Sequence, residues 1–563
     1  MADERGMARD YPAYRPKPAS WTKLFGTFLV ALDPLKLLVA ALGILFTALG
    51  WWLISLVAYS VYPEPKESYY QGKVPKDVPE EQRQAWGQRE YHKAMDSWAL
   101  MHELAGPSDQ PNTEFAKYYQ ERHPAGSLRN ERFALGYGGK YRTMPWAENR
   151  GPNPFHMTRT VVSGTGQERR EVLGQFTTYQ LPNLIEPLLK FLGPVYYLFD
   201  PRADFGIKLY LILLILWFLV VWGFFGGVIT RMAVVHLSGK EGGGLREAVA
   251  FVRRRYVSYL LSPIIPIGLI GFFVLCCFLF GLLHWIPGFG DIWDGIFWFL
   301  PLLAGLLITL LLIGMVGYPM MYTTLSTEGS DTFDALSRSY NYVYESPWHY
   351  LWYSLVALAY GAAVVFFVIV VGSLTTYIAK WGVKQFPAWG TDRSPEFLFI
   401  YAPESLGWQK LLTEGSDLAI NDFGKPVDPE AYTAYLDRFY WSNHIGAVLC
   451  SFWVTLVFMM VIGFSYSYFW TASTQMYLLM RKRVDETEMD EVYIEEEPLP
   501  PTFGAPTQPT TTPTPTPTPT GPMSVPVDAP TLKQPETPPA PPPAAPPAET
   551  PGPESPGDGK TAT

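Results

Sequence analysis

Charge is missing from the longest apolar stretches of this chain. Leu37–Val61, Leu209–Thr230, Leu260–Leu283, Ile296–Tyr318, Leu351–Ile378 and Ile445–Trp470 contain no Asp, Glu, Lys, Arg or His. Each is long enough to cross a bilayer core of about 30 Å as a helix. Proton pumps and ion-coupled carriers keep ionisable groups at membrane depth, so uncharged spans argue against that class. Cysteine is also scarce. The chain has three, Cys276, Cys277 and Cys450, all within predicted spans. That leaves no loop disulfide and no Cys-x-x-Cys pair for zinc. No Gly-x-Ser-x-Gly elbow, phosphate loop or His-Glu-x-x-His helix is present, so no nucleophile, nucleotide or zinc-protease motif stands out. His92, His102 and His123 lack the spacing of a ligand set and read as surface residues. No catalytic residue, metal, cofactor or nucleic-acid partner is expected.

Basic residues set the expected topology. Arg5, Arg9, Arg15, Lys17 and Lys23 precede the first span. Arg231, Lys240, Arg246, Arg253, Arg254 and Arg255 lie in the connection after the second, and Arg481-Lys482-Arg483 follows the last. The short connection His284–Gly295 holds only Asp291 and Asp294 as charged residues besides its histidine. The positive-inside rule then puts both termini in the cytoplasm. The first span is too long and too strongly preceded by basic sequence for a cleaved signal peptide, and reads as a retained anchor. Tryptophans near the span ends suit the interface, whereas Trp51 and Trp217, deep in their spans, suit helix packing.

The chain divides into seven parts. Residues 1–34 form an N-terminal segment in which Trp21–Leu32 has the period of an amphipathic interfacial helix. Residues 35–61 are the first span, begun by an Asp33 cap and Pro34. Residues 62–208 form an outer loop domain, with helix over Glu80–Leu104 and Glu114–Glu121, strands at Arg159–Ser163 and Gln175–Gln180, and an interfacial helix over Pro182–Leu198. Residues 209–378 are a four-span core, 379–444 a second outer segment with a strand at Phe397–Tyr401, and 445–482 the last span with a short helix. Residues 483–563 begin with the acidic run Asp485–Glu497 and continue into Pro/Thr-rich sequence, including the alternation Thr512–Thr520, that cannot bury a core. The expected fold is therefore an all-α membrane protein of six transmembrane helices with a small mixed α/β extracytoplasmic cap and a disordered tail.

A repeat is visible within the core. Leu237-Ser238-Gly239-Lys240-Glu241-Gly242 follows the second span, and Leu325-Ser326-Thr327-Glu328-Gly329 follows the fourth. An amphipathic stretch comes next in both cases, giving two parallel span–elbow helix–span units. Gly268 and Gly271, Gly314 and Gly317, and Gly361 and Gly372 would let helices approach closely. Pro263, Pro266 and Pro301 would kink the third and fourth spans.

The sequences Ala31-Leu32-Asp33-Pro34-Leu35-Lys36-Leu37-Leu38, Phe225-Gly226-Gly227-Val228-Ile229-Thr230-Arg231, Asp334-Ala335-Leu336-Ser337-Arg338-Ser339-Tyr340 and Asp485-Glu486-Thr487-Glu488-Met489-Asp490-Glu491-Val492-Tyr493 resemble an uncharacterised family of bacterial multi-pass inner-membrane proteins. The resemblance covers the spans and elbows. It implies residence in a bacterial inner membrane and carries no activity.

Arg231, Arg246, Arg253, Arg254 and Arg255 are the candidate contacts to anionic lipid head groups, each worth on the order of 1 kcal/mol near the surface. Setting topology is the plainer role for them. The acidic run is expected to be a solvated linker, because exposed ion pairs are weak. The sharper alternative folds Asp485–Glu497 back on Arg253–Arg255. The functional expectation is an integral membrane scaffold or interaction protein, with partners taken through the outer cap or the Pro-rich tail. An alternative is a permease for a neutral or lipidic substrate, and a third is a membrane hydrolase using the outer loops. A permease should line a polar cavity with residues such as Ser354, Tyr360, Thr455 and Ser465, whereas a scaffold should pack them shut.

Overall fold

A computed structural model describes residues 20–105, 144–148, 150–176, 181–240, 244–385, 395–416, 418–420 and 427–494. Glu114–Glu121, His123, residues 177–180, and the chain before 20 and after 494 lie outside the described residues. The described chain is helical, with no β-strand. Among the described residues five helices are long and apolar enough to cross a membrane, or six if one bent pair counts as a single span.

Helix α1 (Pro34–Val61) starts where Asp33 accepts a hydrogen bond from the Leu35 amide, with Pro34 in the first turn. Helix α2 (Glu80–Ala105) carries the polar loop helix. Helices α3 (Pro154–Ser163) and α4 (Gly166–Gln175) form a corner, and α5 (Glu186–Leu198) leads into α6 (Phe205–Leu237). Helix α7 (Leu245–Leu282) is followed by a short helix, Phe289–Phe297, and by α8 (Phe299–Met315), with a 52° bend between the last two. Helices α9 (Tyr318–Glu328), α10 (Thr332–Glu345), α11 (Pro347–Lys384) and α12 (Trp441–Val484) complete the bundle. α1, α6, α11 and α12 pack as the main body, with α9 against α6 and α12. α7 and α8 pair as a hairpin beside it.

The mixed α/β cap is not supported. Arg159–Ser163 lies in α3, where the Asn153 side chain caps the Phe155 amide and Pro154 starts the helix, so a good N-terminal signal overrides the β-branched run. Phe397–Phe399 lies in a 3₁₀ turn, Pro395–Phe399. The elbows also differ from expectation. Each reversal is made at a glycine of positive φ, Gly239 at 68° and Gly329 at 63°. The first elbow then runs without a break into the third span, forming α7. The second stops at Ser346, because the residue before Pro347 is disfavoured in the α region. The short helix after the last span is likewise continuous with it in α12.

The N-terminal segment packs one face against the bundle. Ser20–Gly26 is 3₁₀ and Thr27–Ala31 is α. Leu24 is fully buried, Phe28 meets Phe367 and Phe464 edge-on, and Ser467 donates to the Ala31 carbonyl at 2.7 Å.

Glycines report which helix faces meet. Trp51 donates to the Leu214 carbonyl at 3.2 Å and Trp217 to the Phe46 carbonyl at 3.0 Å, so α1 and α6 exchange indoles. A Cβ on Gly50 would stand 1.9 Å from the Trp217 ring. Gly314 and Gly317 receive Tyr340 and Val343, Gly361 receives Tyr468 and Leu184, and Gly372 receives Val461. Gly268 and Gly271 meet nothing within 4 Å, so no close helix contact forms there. Gly50→Ala should therefore destabilise the protein by about 1–3 kcal/mol through overpacking, and Gly268→Ala should leave it unchanged or slightly firmer. Thermal unfolding of the two variants in the same detergent checks both outcomes.

Candidate functional site

The structure restores charge to the bundle interior from the loops. Glu186 and Lys190 sit one turn apart on α5, and Arg150 lies on the irregular segment just before α3. The Arg150 guanidinium grips the Glu186 carboxylate with two bonds, Nε to Oε2 at 2.8 Å and Nη2 to Oε1 at 2.9 Å. It also donates to the Pro145 carbonyl at 2.6 Å, to Ser405 Oγ at 3.0 Å and to Glu148. Lys190 Nζ reaches Glu186 at 2.8 Å and Glu148 at 2.9 Å. Tyr466 donates its hydroxyl to Glu186 Oε1 at 2.9 Å. Two cations thus face two anions.

The location is deep. Arg150 is 4 % exposed and Glu186 8 %. Val365 and Ile369 from α11, Val461, Ile462 and Ser465 from α12, and Leu406 surround them and enclose a cavity of about 10 Å³. Val365 marks the midpoint of α11, and Tyr466 lies just past the midpoint of α12. One face of helix α5 packs inward: Phe191 is buried and stacks on Phe218 of α6 and Tyr318 of α9. Irregular backbone buried inside a helical bundle must find its hydrogen-bond partners within the protein. That condition holds here, as Asn183 donates to the Arg150 carbonyl at 3.2 Å and Ser405 N–H to the Trp146 carbonyl at 2.9 Å. The second bond also ties the two loop segments together, as does the Arg159–Glu414 pair at 3.2 Å.

Burial pushes the Glu186 carboxyl up, but Arg150 and Lys190 outweigh it and hold it well below the usual carboxylate range. Burial lowers Lys190, but Glu148 and Glu186 outweigh it and raise the ammonium above its ordinary value. The arrangement is a saturated ion-pair lock, with every Glu186 oxygen accepting from a charged or hydroxyl donor.

A second polar cluster occupies the opposite end of the bundle and contains two of the candidate lipid-binding arginines. Arg231 is 7 % exposed and donates to the carbonyls of Ser326 at 2.7 Å and Tyr493 at 2.8 Å. Half-buried Arg255 donates to the Gly329 carbonyl at 3.2 Å, with its guanidinium over the rings of Phe251 at 4.3 Å and Tyr493 at 5.3 Å. Arg246, Arg253 and Arg254 stand exposed on α7. The described part of the acidic run, Asp485–Ile494, folds back as a strap. Its Tyr493 amide donates to the Thr327 carbonyl at 2.8 Å, Asp485 meets Tyr342 and Arg338, Lys482 pairs with Glu488, and Arg481 reaches the Glu491 carbonyl. Arg481 also pairs with Glu328 at 2.8 Å. Contacts of the described strap fall on Arg231, Arg255 and Arg338. The strap's aromatic and backbone groups, not its carboxylates alone, make the dock. Among the described residues no group of three His, Cys, Asp or Glu side chains could hold a metal ion.

Comparisons of this chain with protein-family models, with curated proteins and with solved structures each return no match.

Glu186→Gln leaves Arg150 and Lys190 short of a counter-charge and should cost about 3–5 kcal/mol. Because the folded Glu186 pKa is depressed, its stabilisation is full above the unfolded value of about 4.3 and fades as pH falls below it. Lys190 is raised, so its share is full below about 10.4 and fades above. Unfolding midpoints measured across pH should fall at the acid end in the parent protein, and Glu186→Gln should flatten that acid limb. At the other end, Tyr493→Ala should free the strap. Limited proteolysis after residue 484 should then accelerate several-fold while the bundle stays folded.

Proposed function

We propose that this chain is an integral membrane scaffold of a bacterial inner membrane, with both termini cytoplasmic, that presents a loop-built cap on one face and a basic, strap-covered end on the other. The observation that supports the reading most is that, among the described residues, polar side chains suited to line a path are spent on contacts within the protein. Ser465 spends its hydroxyl on the Ile462 carbonyl at 2.8 Å, Tyr360 on the Phe25 carbonyl at 3.0 Å, and Ser354 contacts Met476 Sδ at 3.8 Å. Thr455 is half-buried. The space beside Ser465 is about one water molecule in size.

In this reading Arg246, Arg253 and Arg254 meet anionic head groups, while Arg231 and Arg255 hold the strap. Protein partners engage the cap or the Pro/Thr-rich tail. The class needs no catalytic group and no cofactor.

One observation favours a second reading, a permease for a neutral or lipidic substrate. Ionisable residues at mid-depth are expensive and commonly serve a transport path, and the Arg150–Glu186 pair is enclosed beside Val365, near the midpoint of α11. A conservative pair separates the two. Purified protein in liposomes should show no flux of small neutral solutes above that of empty vesicles, and an exchanged pair, Arg150→Glu with Glu186→Arg, should alter stability alone. Flux that is saturable and abolished by the exchange in folded protein would support the permease and sink the scaffold. Cysteine labelling at residues 3 and 560 from the cytoplasmic side only should confirm the orientation. Labelling of the two positions from opposite sides would overturn it.

A further inference from the structure

Three helices meet inside the bundle. Helix α6 packs on both α9 and α12, and α9 packs on α12. Each brings two positions one turn apart to the junction: Trp222 and Gly226 from α6, Tyr318 and Tyr322 from α9, Tyr466 and Trp470 from α12. Trp470 touches all the others. Its ring lies 6.3 Å from that of Trp222, 6.1 Å from Tyr318 and 5.1 Å from Tyr322. Gly226 admits its edge, since a Cβ there would stand 2.9 Å from Cε2, the carbon bonded to the indole nitrogen.

The polar ends of four of these rings break the usual rule. The indole N–H groups of Trp222 and Trp470 and the hydroxyls of Tyr318 and Tyr322 are buried, and none has a hydrogen-bond partner among the described residues. Each of the four side chains is at most 1 % exposed. Other buried rings of the bundle are satisfied. Trp51 donates to the Leu214 carbonyl at 3.2 Å, Tyr210 shares a hydrogen bond with Ser55 at 3.1 Å, and Tyr468 donates to the Ala357 carbonyl at 2.9 Å. Buried polar groups without a partner are rare in native proteins, and four in one contact group would together cost an appreciable share of the stability of a whole domain.

The chemistry of the four groups selects what completes them. The indoles can only donate, and the hydroxyls donate or accept, so the partner must carry lone pairs. Neutral donors offer an anion no counter-charge, and an enclosed ion without one is very costly. Trp470 and Tyr322 are nearly parallel, at 9°, and Trp222 stacks on Tyr466 at 4.7 Å, which leaves no slot between the ring faces. Whatever binds therefore sits at ring edges, where the in-plane N–H groups point. Water is neutral and small, accepts twice and donates twice, and needs two to four polar partners.

We propose that the junction of α6, α9 and α12 is an internal hydration site, in which ordered water molecules accept from the Trp222 and Trp470 indoles and bridge them to the hydroxyls of Tyr318 and Tyr322. The site rests on the packing of these three helices, and on neither the scaffold nor the permease reading.

X-ray radiolysis of the full chain in detergent tests the site. A radical formed from a bound water attacks the ring beside it, however deeply that ring is buried. Oxidation, read residue by residue by mass spectrometry, should be several-fold faster at Trp222, Trp470, Tyr318 and Tyr322 than at Trp51, Tyr210 and Tyr468. Rates no higher than at those three controls would overturn the site. So would equal oxidation of the four rings by radicals made only in bulk solvent by peroxide photolysis, because that would report an opening to solvent rather than held water. Tyr322→Phe gives an independent sign. A hydroxyl that bonds water is missed when removed, so the unfolding midpoint should fall and oxidation of Trp470 should drop several-fold. Deleting a hydroxyl that was merely stranded leaves the midpoint unchanged or raises it, and either result would sink the proposal.

Discussion

A guanidinium cannot shed its charge, so an arginine enclosed by Val365, Ile369, Val461 and Ile462 must bring its compensation with it. Glu186 supplies that compensation through two parallel bonds, and Lys190 with Glu148 balances the remainder. Most of the architecture on the loop side follows from this requirement. Arg150 sits on irregular backbone and Glu186 on α5, so both segments must enter between α11 and α12 together. Once α5 is inside, Phe191 has to find apolar partners, and it finds Phe218 and Tyr318. Leu184 fits against Gly361, where a side chain would collide. Ser405 of the distant second loop segment is drawn in as a further partner of Arg150.

Such a lock need not add net stability, since desolvation of buried ions offsets much of their attraction. Its larger effect is on uniqueness. An apolar plug could slide along the groove between α11 and α12. A plug whose arginine has five fixed donors, aimed at named oxygens, cannot shift register without stranding a charge.

The long helices were legible in the sequence because hydropathy and length decide them, and the Asp33-Pro34 start and the packing roles of Trp51 and Trp217 follow from local rules. The loops were less legible. Arg159–Ser163 is rich in β-branched residues, yet Asn153-Pro154 ahead of it is an equally local helix start, and the cap won. The elbow of α7 is continuous with its span because Pro263 and Pro266 are carried inside the helix, whereas Pro347 begins a new helix in the second repeat. The charge lock was hidden for a different reason. Its members come from positions 148 to 466 and none is acidic or basic within a span, so scanning the spans for charge could not find it. One signal was present. Glu186 and Lys190 stand four apart in an otherwise apolar helix, the spacing of an intrahelical ion pair with no water-facing stripe to carry it. At the other end, weighing the acidic run by charge alone led to a solvated linker. The aromatic ring of Tyr493 and the backbone of Thr327 change that balance, because they give the strap contacts that salt does not screen.

The two polar clusters are joined by rings. Tyr466, bonded to Glu186, stacks on Trp222 at 4.7 Å, and Trp222 lies 6.3 Å from Trp470. Trp470 stacks on Tyr322 at 5.1 Å, and Tyr322 meets Tyr259 edge-on. Tyr259 bonds Ser326, whose carbonyl holds Arg231. All five aromatic side chains in this column are buried. Close-packed rings cannot be compressed and have few rotamers to exchange, so the column fixes the spacing between the ion-pair lock and the strap dock. A displacement of Tyr466 that accompanied loss of Glu186 would therefore have to move Trp222 and Trp470 as bodies rather than be absorbed locally. The same rigidity explains why aromatic residues, rather than more adaptable Leu or Met, fill the centre of a bundle whose two ends each hold a charge that must meet its partners at hydrogen-bond distance.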